Sequence, residues 1–315
     1  MQVVGLDVSS CEIHVYDDSS SRVGNTKQEL RKWALALSED AVVGMEPTAR
    51  YHRAAAHAVL EAGRTAYLLN PFQLKRYHDG SGSRTKTDKV DASVAQSYLK
   101  DRLNNQHKHK LHPYTASQRD GEPLKDLLEY RETLIDKRAA VRQSTKDLGM
   151  KIKKLPKFES GARELLAEVD AMILDQVKQS DRYKRFLKMD GVGPVTGASL
   201  TWMFESREFE TRNAAVAFAG MDVAIRESGR YKGKAKLTKR GPAIIRRNLY
   251  NAANSLRRIE DWKPVFEYYE SKGKERIEVT NIVARKLLKI AWGINQSGGS
   301  YDRAKALAKY QTKSD

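Results

Sequence analysis

Four acidic residues near the start of the chain have the types and spacing of a metal-dependent site for phosphoryl transfer. Asp7 follows a short apolar run, and Glu46 follows the apolar run AVVGM at 41–45. Asp88 and Asp91 are one helical turn apart, so in a helix they share a face. Carboxylates are ligands that Mg²⁺ prefers, and two such ions can stabilise the attacking and leaving oxygens of a phosphodiester. The four acids therefore predict a Mg²⁺-dependent catalytic site.

Each acid also has a structural interpretation. Asp7 could cap a turn, and Asp88 and Asp91 could stabilise a helix N-terminus through its dipole. The joint arrangement favours the catalytic interpretation, because all four acids lie where predicted strands or helices begin or end, in a chain of strong positive charge.

A candidate nucleophile, Ser228, lies in the segment RESGRYKGK at 226–234. A serine hydroxyl is a weak nucleophile until it is deprotonated or activated by a metal, and nearby cations lower the cost of charge on a reacting phosphate. From the residues alone, an ordinary turn serine is the simpler interpretation. Tyr231 is a rival nucleophile three residues further on.

The positive charge of the chain is large and unevenly distributed. Its 57 Lys and Arg against 40 Asp and Glu give a net charge of +17 and an isoelectric point near 9.7. Residues 1–50 hold 5 basic and 8 acidic side chains, a net −3, whereas residues 226–247 hold 9 basic and 1 acidic, a net +8. Such an excess favours a nucleic-acid partner. We expect nine cations to contact backbone phosphates: Arg226, Arg230, Lys232, Lys234, Lys236, Lys239, Arg240, Arg246 and Arg247.

The composition excludes several classes of protein. The 315 residues, 40% of them hydrophobic, suit two domains with a connector and exclude wholesale disorder. No apolar run reaches the roughly 18 residues of a membrane span, and the start, MQVVGLDVSS, lacks a signal-peptide pattern. Cys11 is the single cysteine, which excludes an internal disulfide and a thiolate zinc cluster. These features predict a cytoplasmic protein.

Residues 1–104 alternate between strand and helix patterns, which predicts an α/β domain. Glu12 and His14 fall on one face of the second predicted strand, and Thr26 with Glu29 forms a capping box that opens a helix. The strands are expected at 3–6, 12–16, 41–45 and 65–69, and the main helices at 26–37, 51–62 and 88–103.

Residues 105–116 predict a polar linker. Its histidines, His107, His109 and His112, have no acidic or thiol ligand beside them, so a linker is favoured over a metal site.

Residues 117–188 predict a helical coiled-coil connector, because apolar residues recur at a seven-residue step. Residues 151–157, with Pro156, separate two helices, which could form an antiparallel hairpin in one chain or join two chains in a dimer. The repeating positions are Leu127, Leu134, Val141 and Leu148, then Leu166, Ile173 and Leu187.

Residues 189–299 predict a mainly α-helical domain, and residues 300–315 a loosely held tail. The turn GVGP at 191–194 has either the form of a helix-hairpin-helix turn, whose amides can meet a phosphate, or that of a plain corner between helices.

Six motifs resemble one family. GLDVS around Asp7, GMEPT around Glu46 and KTDKVDA around Asp88 and Asp91 resemble the motifs of the DEDD-type insertion-sequence transposases, a family that includes Piv-type DNA invertases and bridge-RNA-guided recombinases. Thr238 stands where this family commonly has serine. In the second half of the chain the similar motifs are MDGVGPVTGASL, FAGMDVAIRESG and LTKRGPAIIRRNLYNAA.

The resemblance implies a RuvC-like N-terminal domain of RNase H type and a C-terminal transposase domain. It implies that Asp7, Glu46, Asp88 and Asp91 hold Mg²⁺, and that Ser228 attacks DNA to form a transient phosphoserine link. It further implies a structured noncoding guide RNA that pairs with donor and target DNA. A homo-oligomer, a dimer or a tetramer, is expected through the helical connector.

Two other functions stay open at this point. One is a Mg²⁺-dependent junction nuclease that uses water and leaves Ser228 idle. The other is a non-catalytic nucleic-acid-binding protein.

Overall fold

The chain forms two compact units, Met1–Arg119 (unit 1) and Asp120–Asp315 (unit 2). The computed structural model describes residues 1–80, 88–104, 111–146, 148, 150–224, 227–228, 231–232 and 236–310. For residues 88–89, 227–228 and 231–232 the description covers the backbone.

A mixed five-stranded sheet forms the centre of unit 1, with the strand order β3-β2-β1-β4-β5. Strands β1, β4 and β5 are parallel, and β2 is antiparallel to both of its neighbours. This α/β unit, followed by mainly helical structure, confirms the predicted fold class. The strands are β1 (Val3–Val8), β2 (Glu12–Tyr16), β3 (Ser20–Gly24), β4 (Val42–Met45) and β5 (Thr65–Leu68).

Helices cover both faces of this sheet. One face, with Val4 and Leu6, packs in a core with residues of α1 and α2, and the other packs against α4. The expected capping box begins α1, where Thr26 Oγ1 accepts a hydrogen bond from the Glu29 amide at 3.3 Å. The helices are α1 (Lys27–Ala36), α2 (His52–Glu61), α3 (Pro71–Gly80), α4 (Asp88–Asn104) and α5 (Ala116–Asp120).

Part of the expected linker packs onto unit 1. The Tyr114 side chain is buried in the core, and its amide donates a hydrogen bond to the Ala66 carbonyl at 2.7 Å. His107 and His109 lie outside the described residues.

Unit 2 is built mainly from helices around α9, which is buried on nearly all sides. No helix of the described residues is both long and apolar enough to cross a membrane. The helices are α6 (Glu122–Lys146), α7 (Leu155–Val177), α8 (Asp181–Phe186), α9 (Pro194–Ser206), α10 (Arg212–Phe218), α11 (Ala243–Leu256), α12 (Lys263–Glu270), α13 (Arg276–Ser297) and α14 (Arg303–Leu307), with a 3₁₀ turn at Glu260–Trp262.

Helices α6 and α7 form an antiparallel hairpin within the chain. Arg138 Nε lies 2.8 Å from Glu159 Oε2, and Arg131, two turns earlier in α6, pairs with Asp170. The seven-residue prediction holds only in part, because Leu148 is exposed. Burial follows a closer spacing where the hairpin meets the core of unit 2, at Leu124, Leu128, Val169, Ile173 and Val177.

Candidate active site and nucleic-acid interface

Asp7 and Glu46 are neighbours near the carboxyl ends of β1 and β4, two interior strands of the sheet in unit 1. Strands β1 and β4 are parallel, with Leu6 opposite Met45, so the next residues, Asp7 and Glu46, lie side by side where the strands end. Adjacent strands are about 4.8 Å apart, and paired positions project to the same face. Both acids are partly buried. The backbone therefore brings together two acids that are 39 positions apart in the chain.

Glycines in the central strands let α4 pack directly on the same face. A Cβ on Gly5 would lie 2.1 Å from the Ala92 carbonyl oxygen and 2.4 Å from the Gln96 amide nitrogen. A Cβ on Gly44 would lie 3.0 Å from the Leu99 side chain. Only a residue without a side chain fits at Gly5, because the obstructing atoms belong to the helix backbone.

The contacts of α4 show which end of the helix approaches the acids. Gln96 Nε2 donates to the Val3 carbonyl at 2.8 Å, and Ala92, one turn earlier, lies against Gly5. Four helical residues rise about 6 Å, close to the length of two strand residues. The helix therefore runs antiparallel to β1, and the turn that begins at Asp88 comes level with Asp7.

The structure describes the side chains of three of the four predicted acids. Asp7 and Glu46 are neighbours, and Asp91 is a partly buried residue of the first turn of α4. Asp88 begins this helix, and its side chain lies outside the described residues. Among the side chains that are described, no three His, Cys, Asp or Glu residues form a metal-binding group. The four-acid metal site remains a prediction.

Two polar residues of β2 border the acids. His14 is the antiparallel partner of Asp7, so both side chains belong to the face that α4 covers. The His14 ring is buried, and its Nε2 lies 3.4 Å from Glu12 Oε1, which also lies 3.4 Å from Arg22 Nη1. The alternation in β2 predicted this polar face. Its position beside Asp7 depends on strand pairing, which the sequence did not reveal.

Ser228 lies in a narrow antiparallel ribbon in unit 2. The outer pair is β6 (Val223–Ala224) with β9 (Lys236–Leu237), and the inner pair is β7 (Glu227–Ser228) with β8 (Tyr231–Lys232). Ser228 and its rival Tyr231 are direct pairing partners across the ribbon. Two residues in the sequence, which lie outside the described part of the chain, separate them.

Hydrogen bonds join the turn after α10 to the segment before α11, where the short strands meet the helices. The Lys239 amide donates to the Gly220 carbonyl at 3.0 Å, and the Thr238 amide donates to the Asp222 carbonyl at 3.0 Å. Thr238 Oγ1 also donates to the Asp222 carboxylate, a bond that the serine common at this position could form too. A Cβ on Gly241 would meet the Phe218 carbonyl oxygen at 1.9 Å, which requires glycine here. The motifs FAGMD and LTKRG therefore bind each other next to the strand pair of β6 and β9.

The predicted phosphate-binding cations divide into groups. Lys236, Lys239 and Arg240 are exposed at or near the base of the ribbon. Arg246 instead donates to the Ala219 and Gly241 carbonyls, at 3.0 and 2.6 Å, and burial lowers its pKa. The side chains of Arg226, Arg230, Lys232 and Lys234 lie outside the described residues.

Arg247 also has partners within the chain. Its guanidinium donates to Asp136 Oδ1 at 2.8 Å and to Glu132 Oε2 at 2.5 Å, both on α6. These hydrogen bonds and the charges of both acids raise the pKa of Arg247. The hydrogen bond from Arg247, and then its positive charge, lower the pKa of Asp136. Arg246 and Arg247 thus contribute to the packing of unit 2, and a role at phosphates stays a prediction for them.

Two family models match the chain. One is described as a transposase, of the DEDD and IS110 type, and matches residues 4–148. The other is described as a transposase of the IS116/IS110/IS902 family and matches residues 183–270. The chain carries IS110-family transposase domains. No curated protein matches it.

The IS110-family domains support a general activity. They are the domains of a DNA transposase or recombinase of an insertion sequence, which acts on DNA by strand transfer or recombination. DEDD-type transposase domains usually depend on a divalent metal. The first match covers Asp7, Glu46, Asp88 and Asp91, and the second covers Ser228.

Proposed function

We propose that this IS110-family protein cuts and rejoins DNA through a transient phosphoserine link, assisted by Mg²⁺. Asp7, Glu46, Asp88 and Asp91 hold the metal, and Ser228 is the nucleophile. The observation that carries the proposal is the convergence of Asp7, Glu46 and the first turn of α4 on one edge of the sheet.

The donor set suits Mg²⁺. All four acids offer carboxylate oxygens, and Mg²⁺ is usually held by a few carboxylates together with water and substrate phosphate. Gly5 and Gly44 allow α4 to approach the strands closely enough for acids from both to share one site. When bound, Mg²⁺ would neutralise charge that develops on the phosphodiester.

Exchange through Ser228 conserves the number of phosphodiester bonds. In the first step Ser228 Oγ loses a proton and bonds to phosphorus, while the bond from phosphorus to a deoxyribose oxygen breaks and that oxygen gains a proton. In the second step a hydroxyl of another DNA strand loses its proton and bonds to the same phosphorus. Ser228 then leaves and regains a proton. The cations of residues 226–247 stabilise charge on the phosphate in both steps.

We also propose a structured noncoding RNA that pairs with donor and target DNA, on the resemblance to bridge-RNA-guided recombinases. Base pairing would then read the sequence, and the protein would contact mainly backbone. Sequencing the RNA that copurifies with the protein tests this proposal. RNA without complementarity to the ends of the element would contradict it.

A dimer or tetramer through the helical connector is proposed as the assembly that joins two DNA sites. Phe158, Leu165 and Met172 recur every seven residues along α7 and are exposed, which supports contact with another helix. Light scattering should show an oligomer that Leu165→Glu with Met172→Glu dissociates. A monomer in the unaltered protein would contradict the proposal.

The experiment that tests the chemistry is the trapping of a covalent protein–DNA adduct in Mg²⁺, followed by mapping of the linked peptide by mass spectrometry. We expect the link on Ser228, its loss in Ser228→Ala, and its retention in Tyr231→Phe. Ser144→Ala is the control, because Ser144 is an exposed serine that bonds only within α6. DNA cleavage by Ser228→Ala without an adduct would indicate a nuclease that uses water. An adduct on Tyr231 would indicate tyrosine chemistry.

A further inference from the structure

Six residues near the end of unit 2 form a cluster of phenol and ammonium groups. Tyr269 Oη and Tyr310 Oη are 2.9 Å apart and share a hydrogen bond. The Tyr268 and Tyr310 rings are 5.3 Å apart between centroids and meet edge to face. The tyrosine–lysine cluster consists of these three tyrosines with three lysines that surround them: Tyr268, Tyr269, Lys272, Lys286, Lys309 and Tyr310.

The three lysines converge on two adjacent rings. Lys272 Nζ donates to Tyr268 Oη at 2.7 Å and lies 4.2 Å from that ring's centroid. Lys286 Nζ lies 4.9 Å from the Tyr310 centroid. Lys309 Nζ lies 5.7 Å from the Tyr268 centroid and 6.0 Å from that of Tyr310. They come from the turn after α12, from α13 and from the segment after α14, so the fold of unit 2 assembles them.

No carboxylate balances this charge among the described residues. None of the three lysines forms an ion pair there, whereas nearby Lys263 and Lys274 pair with Glu260 at 2.6 Å and Glu278 at 2.7 Å. Burial, and then the charge of Lys309, lower the pKa of Lys286. The hydrogen bond from Lys272, and then its charge, lower the pKa of Tyr268. Like charges therefore interact unfavourably in the cluster, and an anion would relieve the repulsion.

We infer that the tyrosine–lysine cluster is a binding site for the phosphate backbone of DNA, separate from the cations of residues 226–247. Ammonium groups and a phenol hydroxyl are donors that phosphate oxygens accept. Stacking of bases is less favoured, because ammonium groups and ring edges already occupy the ring surfaces. The inference rests on the DNA substrate of the proposed function and is independent of Ser228 chemistry.

The test compares two triple variants with the same change in net charge. Lys272, Lys286 and Lys309 are replaced together by Gln in the first variant. In the second, Lys178, Lys263 and Lys274 are replaced by Gln, and each of these pairs with a carboxylate within the chain. The dissociation constant for a 30-base-pair duplex is measured from about 50 to 300 mM salt without Mg²⁺, so that only binding is observed.

Each lost phosphate contact lowers the log–log salt slope by about 0.9. We expect the first variant to flatten the slope by about two to three units, and the second by less than about half a unit. Equal changes in both, or an unchanged slope in the first, would overturn the site. Lys272→Arg with Lys286→Arg and Lys309→Arg should restore the slope, which a purely structural role would not require.

A milder variant keeps the test decisive if the first triple variant does not fold. Lys309→Gln changes a single exposed residue after α14, and it should lower the slope by about one unit. No change would again overturn the site. If these variants keep the salt slope of the unaltered protein and the adduct still forms on Ser228, the cluster is rejected as a binding site and the proposed function is unaffected. If the slope flattens and no adduct forms on Ser228, the binding site is supported and the proposed chemistry of Ser228 is rejected.

Discussion

Carboxylates have opposite surroundings in the two units. In unit 1, Asp7 and Glu46 are neighbours, and Asp91 lies in the first turn of α4, the helix that packs against Gly5 on the same sheet. In unit 2, Asp190 is enclosed by donors: Trp262 Nε1 at 2.9 Å, Tyr301 Oη at 2.8 Å, and the Arg303 guanidinium, which binds both oxygens at 2.7 and 2.8 Å.

Asp190 serves the structure of unit 2, whereas for the acids of unit 1 we propose a shared ligand. Asp190, in the turn that precedes α9, binds Tyr301 and Arg303 at the start of α14, and its charge is matched within the chain. Carboxylates that lie close together disfavour each other's charged form, and a bound cation would reduce this repulsion. The lysines of the tyrosine–lysine cluster show the same pattern with the opposite sign.

The largest expected effect is on catalysis in unit 1. Asp7→Asn, Glu46→Gln, Asp88→Asn and Asp91→Asn each remove one ligand charge with little change in shape. Recombination should fall at least a hundredfold in each, while the free energy of unfolding changes by less than about 1 kcal/mol. A recombination assay and chemical denaturation measure the two effects. Near-normal recombination in two or more variants would refute the shared site.

The next effect is on the packing that positions those acids. Gly5→Ala would place a Cβ against the backbone of α4, and should destabilise unit 1 by about 1–3 kcal/mol or more and reduce recombination. Gly161→Ala in α7 is the control, because no atom lies within 4 Å of its added Cβ. It should stabilise unit 2 by about 0.5–1 kcal/mol. Equal denaturation midpoints for both variants would argue against the tight contact at Gly5.

Asp190→Asn tests the structural acid. Burial by itself raises the pKa of Asp190, but hydrogen bonds from Arg303, Trp262 and Tyr301 and the charge of Arg303 lower it overall. The variant should lose about 1–3 kcal/mol of unfolding free energy at neutral pH, and should still form the adduct.

The pH dependence of this loss has a definite sign. A carboxyl with a lowered pKa in the folded state stabilises the protein above its unfolded pKa of about 3.9, and the contribution disappears as pH falls through the folded pKa. The difference between the unaltered protein and Asp190→Asn should therefore be complete above about pH 5 and shrink below pH 4. Thermal unfolding from pH 3 to 7 measures it, and a constant difference would contradict the assignment.

The smallest effect concerns the cations of the ribbon. Replacing Lys232, Lys234 and Lys236 together by Gln should flatten the salt dependence of DNA binding by about one unit or more, because each phosphate contact contributes about 0.9. Stability should be nearly unchanged. An unchanged slope would mean that these lysines only face solvent.

Local patterns predicted much of unit 1. Apolar runs located β1 and β4. Glu46 follows β4 as expected, whereas Asp7 was expected just after the first strand and lies within β1 (Val3–Val8). The pattern did not reveal β3, because Ser20–Gly24 is polar and mainly exposed. It also did not reveal that Gly5 is the contact point of α4, since that depends on packing between residues about 90 positions apart.

Local sequence patterns did not predict which residues of unit 2 pair with residues far away in the chain. Arg247 was grouped with the phosphate-binding cations, although it pairs with Glu132, 115 positions away. Net charge identifies a basic segment and does not tell which cations meet a carboxylate of the same chain. The seven-residue repeat indicated helices correctly, but it was carried across a helix boundary: Ile173 is buried on α7, whereas Leu187 follows α8 and is exposed.

One measurement tests most directly whether the two units act in a single reaction. The yield of covalent protein–DNA adduct in Mg²⁺ is compared among the unaltered protein, Glu46→Gln and Ser228→Ala, with DNA binding measured on the same samples. We predict that both variants bind DNA and that neither forms an adduct, because the acids of unit 1 and the serine of unit 2 serve one cleavage step. An adduct that persists in Glu46→Gln, or in Ser228→Ala, would contradict the account.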